Sequence, residues 1–335
     1  MANHKGPQRA VASNKSAIVA KLPAACKDEG KAVEFMEEQR WGETPHCPRC
    51  GDVEVKQMTA KDGSRSARYL WRCTGCKRQY TVRVGTIMED SPIPLRHWCY
   101  AFWAACAGKK GVSALQIQRM TGLSYKSALF MMHRIRWAMT GANEPETKLD
   151  GIVEFDETFV GGKPRKLAAQ RVIDGVATGR KRGPAPDFKD RKTAVVAGVE
   201  RGGRVKARTA TDVTGDTLPM HLNAMVQRSA HLMTDERPAY VRLGRAFAQH
   251  DSVNHSEGEY ARGNVTTNSV EGFFANLKRA IIGTHHAVSK KHLHRYVAES
   301  EFKYNSRFID DGARTQRAIQ GGEGMRLTHK TQTRG

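Results

Sequence analysis

Gly151-Ile152-Val153-Glu154-Phe155-Asp156 marks the point where the chain changes its hydrophobic period from helical to two. This run reads as a strand. Residues 192–200 and 204–210 read as a hairpin around Arg201-Gly202-Gly203. Residues 214–230 carry Leu218, Leu222 and Met225 on one helical face, and His231-Leu232-Met233-Thr234-Asp235 is another short strand. Helices are expected over 267–282 and 292–304. Three strands, a helix, a strand and then helices form an α/β order, an antiparallel meander leading into parallel pairing. The domain so defined spans 151–310.

The chain has 335 residues, with 55 Lys plus Arg against 34 Asp plus Glu and a formal charge of +21. Acidic residues at strand ends need a reason in so basic a protein. Asp156 is read as ending the first strand and Asp235 as ending the fourth, and strand ends present side chains to a cleft. Neighbouring carboxylates repel unless a cation sits between them, and Mg²⁺ or Mn²⁺ takes such oxygen ligands. Glu271 supplies a third acid, beside a helical stripe of Val270, Phe273, Phe274, Leu277 and Ile281. A competing reading makes Asn268-Ser269-Val270-Glu271 a capping box and Asp235 a cap for a helix starting near Arg237. Lys278 and Arg279 follow on the same helix, as DNA contacts or as plain surface charge.

Upstream lie Cys47-Pro48-Arg49-Cys50 and Cys73-Thr74-Gly75-Cys76. Each pair fits a tight turn, and four thiolates so spaced match structural zinc better than two disulfides or a redox motif. Strands over 53–58, 68–72 and 78–84 complete a zinc ribbon, and a helix over 28–40 precedes it. This unit covers 28–90, after a disordered basic arm over 1–27. Within 91–140, one helix presents Trp98, Phe102 and Ala105. A second carries Leu115 and Ile117 into Gly122-Leu123-Ser124, and a third carries Ala128, Met131, Met132 and Ile135. The last two outline a helix-turn-helix, in which Lys126, Arg134 and Arg136 would face DNA. The alternative is an ordinary helical hairpin with a basic solvated face. A linker is expected over 141–150. Residues 161–193 hold a basic insertion, read as a long loop able to clamp DNA backbone, and 311–335 read as a basic tail.

The positive surplus favours a polyanion, and with a zinc module beside it the expected partner is nucleic acid. Cys26, Cys99 and Cys106 have no partner spacing, and the odd total of seven cysteines suits a reducing cytoplasm. Residues 1–21 lack the apolar core of a signal peptide, and the apolar run 98–107 is too short to cross a bilayer. A soluble cytoplasmic protein with no membrane partner is the expectation.

The chain resembles the DDE transposases of bacterial insertion sequences that carry an N-terminal zinc ribbon. Arg40-Trp41 leading into the first cysteine pair, Trp71-Arg72-Cys73 with Cys76, Glu154-Phe155-Asp156-Glu157 and Thr234-Asp235 carry the likeness. So do Thr267-Asn268-Ser269-Val270-Glu271, Lys278-Arg279, Lys291-His292-Leu293-His294-Arg295-Tyr296 and Tyr304-Asn305-Ser306-Arg307. The resemblance implies a ribonuclease H-like catalytic core in which Asp156, Asp235 and Glu271 bind two Mg²⁺ or Mn²⁺ ions. It implies binding of terminal inverted repeats, DNA cleavage and strand transfer, in a complex that is at least a dimer. Thr266 stands where the pattern has a His, and Asn268 is an alternative third-position residue. The rival functions are a metal-dependent nuclease without strand transfer and a non-catalytic DNA-binding regulator.

Overall fold

The computed structural model describes residues 17–143, 147–161, 171–173, 176–178, 192–259 and 261–328. Two helices open it, α1 (Ala17–Lys27) and α2 (Glu29–Trp41). The Asp28 side chain accepts the Lys31 N–H at 2.8 Å, capping α2, and Gly42 ends it at a φ of +60°. Residues 17–27 therefore fold, against the expectation of a disordered arm. Pro23 and the basic residues obscure a short apolar period, Ile18, Leu22 and Ala25, that packs into the core. Residues 1–16 lie outside the described residues.

The ribbon has β1 (Val55–Gln57), β2 (Trp71–Cys73) and β3 (Gln79–Tyr80), antiparallel in that order and shorter than the expected strands. It is joined to α2 by aromatic contact. The Trp41 ring meets Trp71 and Tyr80 edge-on, with centroids 5.8 Å and 6.0 Å away. Then come α3 (Leu95–Ala107), α4 (Ala114–Thr121) and α5 (Tyr125–Ala142). The hairpin of α4 and α5 is set by local chemistry. Ser113 caps α4, Gly122 closes it in the left-handed region at φ +72°, and Ser124 caps α5.

The α/β domain is built on one five-stranded sheet. Its strands are β4 (Ile152–Val160), β7 (Thr193–Glu200), β8 (Val205–Ala210), β9 (His231–Asp235) and β10 (Gln249–Val253). The order is β10-β9-β4-β7-β8. β4, β7 and β8 form the antiparallel meander, while β9 runs parallel to β4 and β10 parallel to β9. β10 was not expected, because Gln249-His250-Asp251-Ser252 is an edge run with almost no apolar signal. Between β4 and β7, β5 (Arg171–Ile173) pairs with β6 (Val176–Thr178) inside the segment expected as a loop, and residues 162–170, 174–175 and 179–191 of the basic insertion lie outside the described residues.

Because strand side chains alternate, the sheet has two apolar faces. On one, Val153, Phe155, Val196 and Leu232 pack under α6 (Thr217–Met225) and α7 (Pro238–Gly244). On the other, Val195, Ala197, Val199 and Val205 meet α8 (Asn268–Ala280) and α9 (Leu293–Asn305). A small hairpin, β11 (Ala261–Arg262) with β12 (Val265–Thr266), leads into α8. The expected linker is partly structural. α5 runs through Ala142, and buried Leu149 donates to the Met225 carbonyl at 2.7 Å and accepts from the Gln227 N–H at 2.8 Å.

The expected C-terminal tail is instead α10 (Asp311–Gln320), capped by Asp310. It returns to the first body, where Ala318 and Ile319 join the core of α2, α3 and α5. Gly321 makes this possible, since a Cβ there would stand 2.4 Å from the Ala142 Cβ. Arg40 of α2 reaches Glu323 just beyond α10 at 2.8 Å.

Candidate active site and metal centre

The four cysteines converge. Cys47 Sγ lies 3.7 Å from Cys76 Sγ, and Cys50 Sγ lies 3.5 Å from Cys73 Sγ. These separations are far beyond a disulfide bond of about 2.05 Å. They approach the edge of about 3.8 Å for a tetrahedron with metal–sulfur bonds of about 2.3 Å. The first turn is shaped by the Gly51 N–H donating to the Cys47 carbonyl and the Cys47 N–H to the Asp52 carbonyl. Asp52 then accepts the Gly75 N–H at 2.9 Å, tying the first turn to the second. Burial works to raise the Cys47 thiol, but hydrogen bonds from Arg49, Cys50 and the neighbouring sulfurs prevail and bring it down to about 7. Four soft sulfur donors gathered at near-tetrahedral separations, with the Cys47 thiol lowered, fit zinc.

The acids come from three elements. Asp156 sits inside β4, opposite Ala197 of β7, not at the strand end as expected. The ladder between β4 and β9 covers only 152–154 of β4, so beyond Glu154 and Met233 the two strands part. Asp156 and Asp235 flank that gap, and Asp235 does end β9. Residues opposite in a parallel ladder share a face, so Glu154, Asp156, Met233 and Asp235 all belong to the α8 face. Glu271 lies in the first turn of α8.

Asp156 feels the charge of the other two carboxylates. Burial first, then the charges of Asp235 and Glu271, push Asp156 up to about 7, against the opposing pull of Arg237 and His255. Burial also raises Asp235. Among the described residues, the cysteine set is the only group of three or more His, Cys, Asp or Glu whose ligand atoms all fall within 4.8 Å. The acids therefore stand near one another without closing on one point.

Their neighbours are largely residues that the sequence did not single out. Arg237 contacts Glu157 and stands 3.6 Å from Asp235, and Glu157 also accepts the Tyr240 hydroxyl. His255 Nε2 lies 3.8 Å from Glu271 Oε1 and 3.3 Å from the Thr267 hydroxyl. Glu236 holds the His255 turn by accepting the His255 and Ser256 N–H groups, each at 3.1 Å. A histidine thus reaches this corner from residue 255, while Thr266 caps the Asn268 N–H through its hydroxyl at 3.2 Å. Asn268 itself is exposed. The Asn268–Glu271 capping box does not form. Glu271 accepts the Thr267 hydroxyl at 3.0 Å, and its side chain stays 46% exposed. Asp235 does accept the Arg237 N–H, at 3.2 Å, ahead of α7.

The candidate DNA contacts divide. Lys126, Lys278 and Arg279 are exposed. Arg134 and Arg136 are buried, which corrects the expectation that they face DNA. Arg134 donates to the carbonyls of Ile87 at 2.8 Å and Glu89 at 3.0 Å. Arg136 donates to Glu299 at 2.7 Å and lies over the Tyr296 ring. The physical reason is position: from Met131 to Arg136 every side chain of α5 is enclosed, leaving its first turn, with Tyr125 and Lys126, to solvent. Among the described residues no helix is long and apolar enough to cross a membrane.

Known proteins share both bodies. Residues 27–79 match a transposase zinc-ribbon domain, and residues 148–305 match an ISXO2-like transposase domain. A Halobacterium salinarum protein, described as an uncharacterized protein in transposable element ISH50, is 28% identical over 274 residues, covering 80% of this chain and 88% of its own length. The chain thus carries a transposase zinc-ribbon domain followed by an insertion-sequence transposase domain.

Proposed function

We propose that this transposase binds the terminal inverted repeats of its element, cleaves DNA at the element ends and joins them to target DNA. The observation that carries this reading is the meeting of Asp156, Asp235 and Glu271, from β4, β9 and α8, around the gap where β4 and β9 part. The order β10-β9-β4-β7-β8, with an antiparallel meander and two added parallel strands, supports a ribonuclease H-like core.

All-oxygen donors, mutually repelling, suit Mg²⁺ or Mn²⁺, and Asp156, Asp235 and Glu271 are the residues that would hold two such ions. Bound there, the ions supply activation of the attacking oxygen and stabilisation of the leaving oxygen in an in-line displacement at phosphorus. The chain's own residues do the rest. Asp156 must shed its proton for the site to load. Arg237 and His255 offset the acidic charge and hold the Asp235 and Glu271 edges of the cleft. Exposed Lys278 and Arg279 continue along α8 from Glu271 and draw in the phosphate backbone. Lys126 at the start of α5 and the zinc ribbon are the candidates for holding the ends. Cutting two ends together calls for at least two copies in the active complex, and free thiols throughout suit the cytoplasm.

The test is strand transfer of a labelled end oligonucleotide with Mg²⁺ or Mn²⁺. Joined product that disappears in Asp156→Ala and Glu271→Gln supports the proposal. Cleavage without joining points to a nuclease, and end binding without metal-dependent chemistry points to a regulator.

A further inference from the structure

Three acids crowd the β4 sequence Glu154-Phe155-Asp156-Glu157, and only Asp156 has been given a task in the reaction. Glu154 is fully buried, two residues away on the same face of the strand. Its Oε2 accepts the N–H groups of Ser269 at 2.6 Å and Val270 at 3.2 Å. Its Oε1 accepts the Ser269 hydroxyl at 3.0 Å and Arg201 Nε and Nη2 at 3.1 Å and 2.8 Å. A carboxylate offers about four lone-pair sites, so five donors leave none for a cation.

Those donors sit on the elements that carry the other acids. Ser269 and Val270 form the first turn of α8, just before Glu271. Arg201, from the β7–β8 turn, also donates to the carbonyls of Asn264 at 2.7 Å and Thr266 at 3.4 Å, on the approach to α8. Its Nη2 lies 3.2 Å from Met233 Sδ, two residues before Asp235. The negative charge at the N-terminal end of α8 complements the helix dipole.

We propose that Glu154, clamped by Arg201, is a positioning residue that fixes Glu271 across the cleft from Asp156 and is itself no metal ligand. The proposal rests on the catalytic reading above. Glu154 docks the α8 N-terminus on the strand that bears Asp156, so the separation of the two acids is set by hydrogen bonds of one buried carboxylate. Residues that orient ligands in this way typically change metal affinity about 10–100-fold when mutated.

The experiment uses the full chain and titrates Mn²⁺, following free and bound ion by electron paramagnetic resonance. Glu154→Gln should weaken Mn²⁺ binding about tenfold or more and alter the bound-ion spectrum, with zinc content and end binding kept. The double variant Glu154→Gln/Glu271→Gln should bind no worse than Glu271→Gln alone, because Glu154 acts through Glu271. Unchanged affinity in a folded Glu154→Gln, or additive losses in the double variant, overturns the proposal. If Glu154→Gln does not fold, Ser269→Ala removes one partner of the carboxylate without unpairing a charge. It should weaken binding severalfold, and wild-type affinity there likewise overturns the clamp. Asp156→Ala separates the two readings. If it binds Mn²⁺ as wild type does, the catalytic site falls and this role with it; if it loses the ion while Glu154→Gln and Ser269→Ala do not, only this role falls.

Discussion

Arg136 and Glu299 are 163 residues apart in the chain and 2.7 Å apart in the fold, with side chains only 1% and 5% exposed. The pair joins α5 of the first body to α9 of the α/β domain. Lys303 adds a second cation, 3.0 Å from Glu299. Burial alone would raise the Glu299 carboxyl, but Lys303 and Arg136 outweigh it and hold it at about 2. Removing one partner strands the other in the interior, so Glu299→Ala should destabilise the protein by about 3–5 kcal/mol. Replacing both, as Arg136→Met/Glu299→Leu, should cost less than Glu299→Ala. Urea unfolding of the three proteins decides it, and equal losses would contradict the pairing. Because the folded value is depressed, the stabilisation is present above the ordinary carboxylate pKa and is lost as pH falls toward about 2.

Asp156 has the opposite sign. Its folded value lies above the ordinary 3.8, so its stabilising share is full below that value and is lost as pH rises to about 7. Without divalent metal, Asp156→Asn should match wild type near pH 4 and exceed it at pH 8, by up to about 4 kcal/mol. Mg²⁺ should narrow the gap by stabilising the wild-type carboxylate. Thermal melts at the two pH values, with and without Mg²⁺, provide the check. A pH-independent difference would mean that Asp156 ionises normally.

Zinc should be present at one ion per chain and be lost in Cys50→Ser. Its removal should unfold the ribbon and abolish specific end binding, while the five-stranded sheet stays folded. Atomic absorption with hydrogen exchange by mass spectrometry reads both effects. End binding that survives zinc loss would assign recognition to the α4–α5 hairpin.

Lys126→Ala and Lys278→Ala should each weaken DNA binding and lower the slope of log affinity against log salt by about one. Arg134→Ala should leave that slope unchanged and lower stability instead, since its guanidinium holds the Ile87 and Glu89 carbonyls. Fluorescence anisotropy across a salt series separates the two classes. A shallower slope for Arg134→Ala would return that residue to the DNA surface.

Much of the architecture was legible because it rests on local signals. Ser113, Gly122 and Ser124 announce the α4–α5 hairpin, CxxC spacing announces the ribbon, and the period of two announces β4, β7 and β8. What stayed hidden depends on contacts between distant residues. Nothing local to Arg134 or Arg136 says that α5 is enclosed by α9 and α10. β10 has its place because β9 leaves an edge for it, not because its own residues are apolar. The acids Glu154, Asp156 and Glu157 look alike in sequence. They differ by what faces them: α8 and Arg201 for Glu154, the other two acids for Asp156, and Tyr240 with Arg237 for Glu157. His255 carries no periodic signal, and its place beside Glu271 follows from the turn held by Glu236.

The return of α10 sets an order of events during synthesis. Ala318 and Ile319 complete a core begun by α1 and α2 at the other end of the chain. α10 is the last element of that core to be made, so the faces of α2, α3 and α5 that it covers stay open until it arrives. A message cut short ahead of residue 311 should yield a folded sheet attached to an open first body, its apolar faces exposed to proteolysis.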